Sequence, residues 1–192
     1  MWKFFNGKEV FKNYRGQWDD LNSKIDNHVL LDSKFWEALV HQFSNDKTLL
    51  GICDSREYPG MALVTNDRLG MWSTFQPSQA PIGPILLGNS ENIEGQLKDI
   101  LRSLPGYALG LGVTQQDPSF GYFHSLGTHE AVEVKDYLTT SRISVHEEFE
   151  QYWNARGNDL RTNIRKRLRR LEREGLNVSL DIYSDPEEMS RC

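Results

Sequence analysis

A mixed α/β (α+β) fold with one sheet flanked by helices follows from three features of this 192-residue chain. Segments whose apolar residues recur every three or four positions alternate with short apolar runs bounded by turn residues, so helices and strands share one order. Nine phenylalanines and five tryptophans supply large side chains for a core. A 38% hydrophobic content beside 26% charged residues marks a globular chain, and 11% aromatic argues against disorder.

The elements follow in order. "WKFFNG" from Trp2 is a short apolar strand closed by Gly7. Val10, Phe11, Tyr14, Trp18 and Leu21 form the stripe of an amphipathic helix. Phe35, Trp36, Leu39, Val40 and Phe43 form a second, with Asp32 or Ser33 as its N-cap. "TLLGICDS", "GMALVTND" and "LGMWSTFQ" are three strands, and "SREYPG" and "NDRLG" are the hairpin turns between them. "QPSQAPIGPILLG" holds three prolines and is expected to be extended loop, its prolines at a sheet edge or outside the sheet. The next helix carries Ile93, Leu97, Ile100, Leu101 and Leu104, with Ser90 as cap and Pro105-Gly106 as stop. "YALGLGVT" predicts a buried strand, because its apolar residues run on with little alternation. "EAVEVKDYL" alternates, with Val132 and Val134 in phase. Residues 145–175 predict one or two helices, and "NVSLDIYS" a final strand with Val178, Leu180 and Ile182 on one face. "DPEEMSRC" opens like a helix, with Asp185 as cap and Pro186 at its first position. One layer is therefore expected over residues 1–140, and a basic helix with the start of a second, incomplete unit over 141–192.

Charge is unevenly spread. The net is −5, but Arg156 to Arg173 holds eight of the 22 basic residues and only Asp159 and Glu172 of the 27 acids. That segment is +6 and the remainder −11. Such asymmetry favours contact with an anion or with an acidic surface. No stretch reaches the roughly 18 apolar residues of a membrane span, and the N-terminus has no signal-peptide pattern. Cys53 and Cys192 form neither a disulfide framework nor a metal spacing, so a reducing, cytoplasmic setting is expected.

Few residues announce chemistry. His28, His41, His124, His129 and His146 lie apart and never at metal-ligand spacing with a cysteine or carboxylate. His124, His129 and Glu130 share a loop, but one loop seldom supplies a complete coordination shell. His146-Glu147-Glu148 suits a helix start, where carboxylates meet the positive dipole end. Cys53 on a strand reads as a small core residue, not a nucleophile. No metal site is expected, and no catalytic residue is identified.

"FEQYWNARGNDLRTNIRKRLRRLEREGLNVSLDIYSDPEEM" is the most distinctive text. With the order strand, helix, helix, three-stranded meander, helix, strand, it resembles the GNAT superfamily, and more narrowly the FemAB-like acyltransferases built from two GNAT units. "LLDSKFWEAL" and "ALGLGVTQ" are similar to text in the first unit of such proteins. The resemblance implies acyl or aminoacyl transfer from a coenzyme A thioester such as acetyl-CoA, or a similar carrier, to an amine. It also implies a Gln/Arg-x-x-Gly-x-Gly/Ala loop at a helix start to hold the pyrophosphate. "LGLGVTQQDP" departs from that pattern, since Gly110 and Gly112 sit inside a strand and Pro118 follows. A non-catalytic binding or assembly module of the same shape is the other expectation, and this chain alone is expected not to catalyse transfer.

Within the basic stretch, Leu160, Ile164, Leu168 and Leu171 share one helical face, expected to dock on something apolar. The cations cover the other faces. An acidic body could balance them, with Arg169–Glu172 and Arg170–Glu174 as neighbours. Alternatively Arg161, Arg165, Lys166, Arg169 and Arg170 would bind the phosphates of an acyl donor or acceptor. Nucleic acid is disfavoured by the acidic remainder and by the lack of aromatics within the run. The strand Asn177–Ser184, with no later neighbour, is expected to join the first sheet or a second copy as a homodimer.

Overall fold

The computed structural model describes residues 1–89, 91–117, 123, 127, 131–137, 139 and 148–179. The chain divides into two compact units, Met1–Leu138 and Thr139–Cys192. The expected histidine loop around His124 and His129, and His146, Ser90, Leu180, Ile182, Asp185 and Pro186, lie outside the described residues.

The first unit is a mixed sheet with helices on both faces. Strand β1 (Lys3–Asn6) leads into helix α1 (Gly7–Ile25), whose first turn is capped by the Asn6 side chain accepting the Glu9 N–H at 3.3 Å. A single 3-10 turn at Val29–Leu31 precedes α2 (Ser33–Phe43). Of the two candidate caps, Asp32 is the one used: its carboxylate accepts the Lys34 N–H at 2.8 Å. Strands β2 (Thr48–Cys53), β3 (Gly60–Arg68) and β4 (Met71–Thr74) form the expected antiparallel meander. They are followed by β5 (Ile85–Leu87), α3 (Ile93–Ser103) and β6 (Gly110–Gly112). The sheet order is β1-β2-β3-β4-β6, with β5 also on β3.

Alternation along β3 separates two cores. Met61 and Leu63 face a cluster built from Phe11, Trp18, Trp36, Val40 and Leu50, beneath α1 and α2. Ala62 and Val64 face the other, with Trp2, Trp72, Ile85, Ile93 and Ile100 beneath α3. The period of two in a strand puts successive side chains on opposite faces, so a sheet covered on both sides is apolar at nearly every position. Each fully buried large side chain contributes about 1.5–3 kcal/mol. The buried indoles also satisfy their polar edges: Trp18 Nε1 donates to the Leu31 carbonyl at 2.6 Å and Trp36 Nε1 to the Leu30 carbonyl at 2.8 Å. Polar contacts join α1 to α2, with the Asp19 carboxylate accepting the Ser33 N–H at 2.9 Å and its hydroxyl at 2.7 Å. Arg15 pairs with Glu37 at 2.6 Å across the same seam.

Several expectations are corrected. The proline-rich stretch is not wholly loop, because Ile85–Leu87 pairs with Gly60–Ala62; its prolines do stay outside the strand. Helix α3 is capped by Asn92, whose Oδ1 accepts the Gly95 N–H at 3.0 Å. The strand at Gly110–Gly112 is half-exposed and flanked by exposed Tyr107 and Leu109, for it lies at the end of the strand order with β4 as its partner. Residues 131–137 form no regular strand, and Val134 and Tyr137 are exposed. No helix among the described residues is long and apolar enough to cross a membrane.

The second unit contains α4 (Phe149–Asn154) and α5 (Asn158–Arg173), so the predicted helical stretch is two helices. Gly175 ends α5 at φ +69, with its N–H on the Glu172 carbonyl at 3.1 Å and the Leu176 N–H on the Leu171 carbonyl at 3.0 Å. This left-handed termination favours a residue without Cβ. Asn177–Ser179 is not in a strand, and Val178 is exposed. None of the residues of α5 is buried.

Candidate functional site

The strands that run parallel in this sheet are β4 and β6, in register Met71↔Gly110, Trp72↔Leu111 and Ser73↔Gly112. Both point their carboxyl ends the same way, and in α/β sheets ligands gather beyond such ends. One residue later the ladder changes character. Thr74 Oγ1, fully buried, accepts the Thr114 N–H at 3.1 Å and lies 2.6 Å from the Thr114 hydroxyl. A side chain thus stands where the next main-chain acceptor would, and the main-chain ladder between β4 and β6 ends there.

Uncharged polar side chains gather at this strand end. Gln116 Nε2 donates to the Thr114 carbonyl at 2.8 Å and to the Gly83 carbonyl at 3.1 Å. Gln76 Nε2 donates to the Ala80 carbonyl at 3.1 Å and to Gln115 Oε1. Gln115 holds φ +45, the left-handed region that a residue with a Cβ seldom occupies. Such outliers persist where surrounding contacts impose them, and they gather at functional sites. Gly83 permits the close approach, because a Cβ there would lie 2.7 Å from Thr74 Oγ1, 2.9 Å from Gln116 Nε2, and against the Thr114 carbonyl oxygen.

The parting of β4 from β5 has its own pivot. Leu63 on β3 accepts the Phe75 N–H at 2.8 Å through its carbonyl and donates its N–H to the Pro84 carbonyl at 3.0 Å. The segment Phe75–Pro84 therefore leaves the sheet and returns at one residue, carrying Gln76 and Gly83 to the same strand end.

Gln116 also borders a cavity of about 30 Å³, lined with Asn22, Asp26, His28, Ile85 and Phe123. A space of that size holds about one water-sized group. His28 is fixed here by Asn22, whose Oδ1 accepts the His28 N–H at 3.0 Å and whose Nδ2 donates to the His28 carbonyl at 3.0 Å. His28 Nδ1 accepts the Leu30 N–H at 3.1 Å, which assigns the proton of the neutral ring to Nε2.

The basic residues singled out from the sequence all fall on α5. Arg161, Arg165 and Arg169 form one column at four-residue spacing, and Lys166 and Arg170 the next. Arg170 pairs with Glu174 at 2.7 Å, and Arg161 hydrogen-bonds Asn154 at 3.5 Å and Asn158. Arg169 and Glu172 form no ion pair among the described residues, while Arg165 and Lys166 stand exposed. Cys53 is buried and free, packed in the core beneath α3. No three metal-ligating side chains cluster among the described residues. The threonine–glutamine cluster escaped sequence reading, because Thr74 and Thr114 are 40 residues apart and neither sits in a recognisable motif. The one local signal was "TQQ" directly after an apolar strand. Compared with family models, curated proteins and solved structures, the chain matches none.

Proposed function

We propose that the chain is a GNAT-like module of the FemAB-like acyltransferase kind, and that the polar cluster where β4 and β6 end binds an amide-bearing ligand. The observation that carries this reading is the end of a parallel ladder at Thr74 and Thr114, beyond an antiparallel meander and below α3. Further support comes from the element order, with two helices between β1 and β2 and one before the parallel strand.

The ligand class follows from the groups present. Gln76 and Gln116 each commit Nε2 to the protein, which leaves their Oε1 atoms to accept an N–H, and Gln115 Nε2 serves as a donor. Neutral amides and hydroxyls suit an uncharged, extended amide such as the pantetheine arm of acetyl-CoA or a peptide-like acceptor. Acyl transfer to an amine requires orientation, proton removal and oxyanion stabilisation. Threonine and glutamine side chains orient and donate hydrogen bonds, but they take up no proton near neutral pH. That composition favours the companion reading, in which this chain binds the ligand and does not turn it over.

An amide-resolved NMR titration with pantetheine, which lacks phosphates, and with acetyl-CoA tests both. Shifts at Thr74, Thr114 and Gln116 with either compound are expected, without acetyl transfer to any added amine. Turnover would remove the binding-only reading. Saturating both ligands without movement at those three residues would overturn the site.

A further inference from the structure

We infer that α5 is a peripheral membrane contact, seating its apolar stripe in the headgroup–acyl boundary of an anionic lipid surface. Helix Asn158–Arg173 is about 24 Å long at 1.5 Å per residue. Its stripe is uncovered, with Leu160 48%, Ile164 39% and Leu168 51% exposed, and Leu171 half-buried. Seven cations share the helix: Arg161, Arg165, Lys166, Arg167, Arg169, Arg170 and Arg173, against Asp159 and Glu172, with Glu174 just beyond. At 100° per residue, Arg161 and Arg165 border one side of the stripe and Arg167 the other.

Charge and apolarity together select the occupant. A nucleic acid would take the cations and leave the leucines in water. An apolar protein surface would take the leucines and leave Arg161, Arg165 and Arg167 facing nothing. A second copy of α5 would bring seven further cations to the same seam. A phosphate-rich lipid surface satisfies both features, since a basic amphipathic helix of low overall hydrophobicity lies in the interface. Guanidinium groups reach headgroup phosphates while their stems cover apolar area. Helix α4 adds side chains suited to headgroup depth: Phe149 and Trp153 stack at 6.0 Å, and the Arg156 guanidinium lies 4.2 Å over the Tyr152 ring.

Co-sedimentation of the full chain with phosphatidylglycerol or phosphatidylcholine vesicles, at low and high salt, tests this. Binding to the anionic vesicles alone is expected, weakening with salt. Arg161→Gln, Arg165→Gln and Arg167→Gln together, the cations flanking the stripe, should weaken it about thirtyfold, at roughly fivefold or less per charge. Ile164→Ser with Leu168→Ser should weaken it about tenfold or more through lost apolar burial. Circular dichroism and thermal melting of both variants should match the parent, because no residue of α5 is buried. Inorganic phosphate should not displace the vesicles. Three outcomes would overturn the inference: no vesicle binding, undiminished binding by the Ile164/Leu168 variant, or displacement by an oligonucleotide that binds more tightly at the same salt.

Discussion

The Thr74 hydroxyl accepts the Thr114 N–H at 3.1 Å while lying 2.6 Å from the Thr114 hydroxyl, so one buried oxygen holds two groups of the facing strand. Thr74→Val keeps the shape and removes the acceptor. The stranded N–H should cost about 1–3 kcal/mol. Thr74→Ser, which keeps the oxygen, should lose only about 1 kcal/mol for its missing methyl. Denaturant midpoints of the two variants check the order.

Gly83→Ala places a Cβ 2.7 Å from that same hydroxyl and against the Thr114 carbonyl. Main-chain oxygen cannot move aside as a flexible side chain would, so the strands should be forced apart at about 1–3 kcal/mol. The variant should also lose the ligand-induced shifts at Thr114 and Gln116. An unchanged midpoint with intact shifts would show that the cluster is looser than described.

Asn22→Leu removes a buried amide that serves both main-chain groups of His28. Two stranded polar groups should cost about 2–4 kcal/mol. Thermal unfolding, scored against the parent, reads this directly.

The Tyr58 phenol is held above its ordinary 10.0, first by its hydrogen bond with Glu57 and then by that carboxylate's charge. A raised value means the folded chain keeps the proton longer. Any contribution to stability is therefore present below pH 10.0 and lost as pH rises through the folded value. Glu57→Gln should shift the phenolate absorbance titration downward, with Tyr58→Phe identifying the signal.

Gly175→Ala asks an L residue to hold φ +69 at the end of α5. About 1 kcal/mol should be lost from that terminus alone, since the Cβ itself meets open space. Amide exchange over Leu171–Leu176 should quicken while α1 and α2 are unaffected.

Local rules made most elements legible. Three- and four-residue spacing of Phe11, Trp18 and Leu21, the Asp32 cap and the Pro105-Gly106 stop each act within a few residues, and each has its structural counterpart. The same locality misled at Val132–Tyr137, where alternation produced no regular strand. What only the tertiary structure decided is long-range register. Leu63 shares its carbonyl and N–H between Phe75 and Pro84, and Thr74 meets Thr114 across 40 residues. Pairings of that kind depend on which backbone groups remain unsatisfied once the two cores have closed, and no window of adjacent residues encodes that remainder. The chain's own text thus determined helices, strands and the cationic stripe, whereas the uncharged polar cluster where β4 and β6 end exists only because folding brings hydroxyls and amides from distant segments to one strand end.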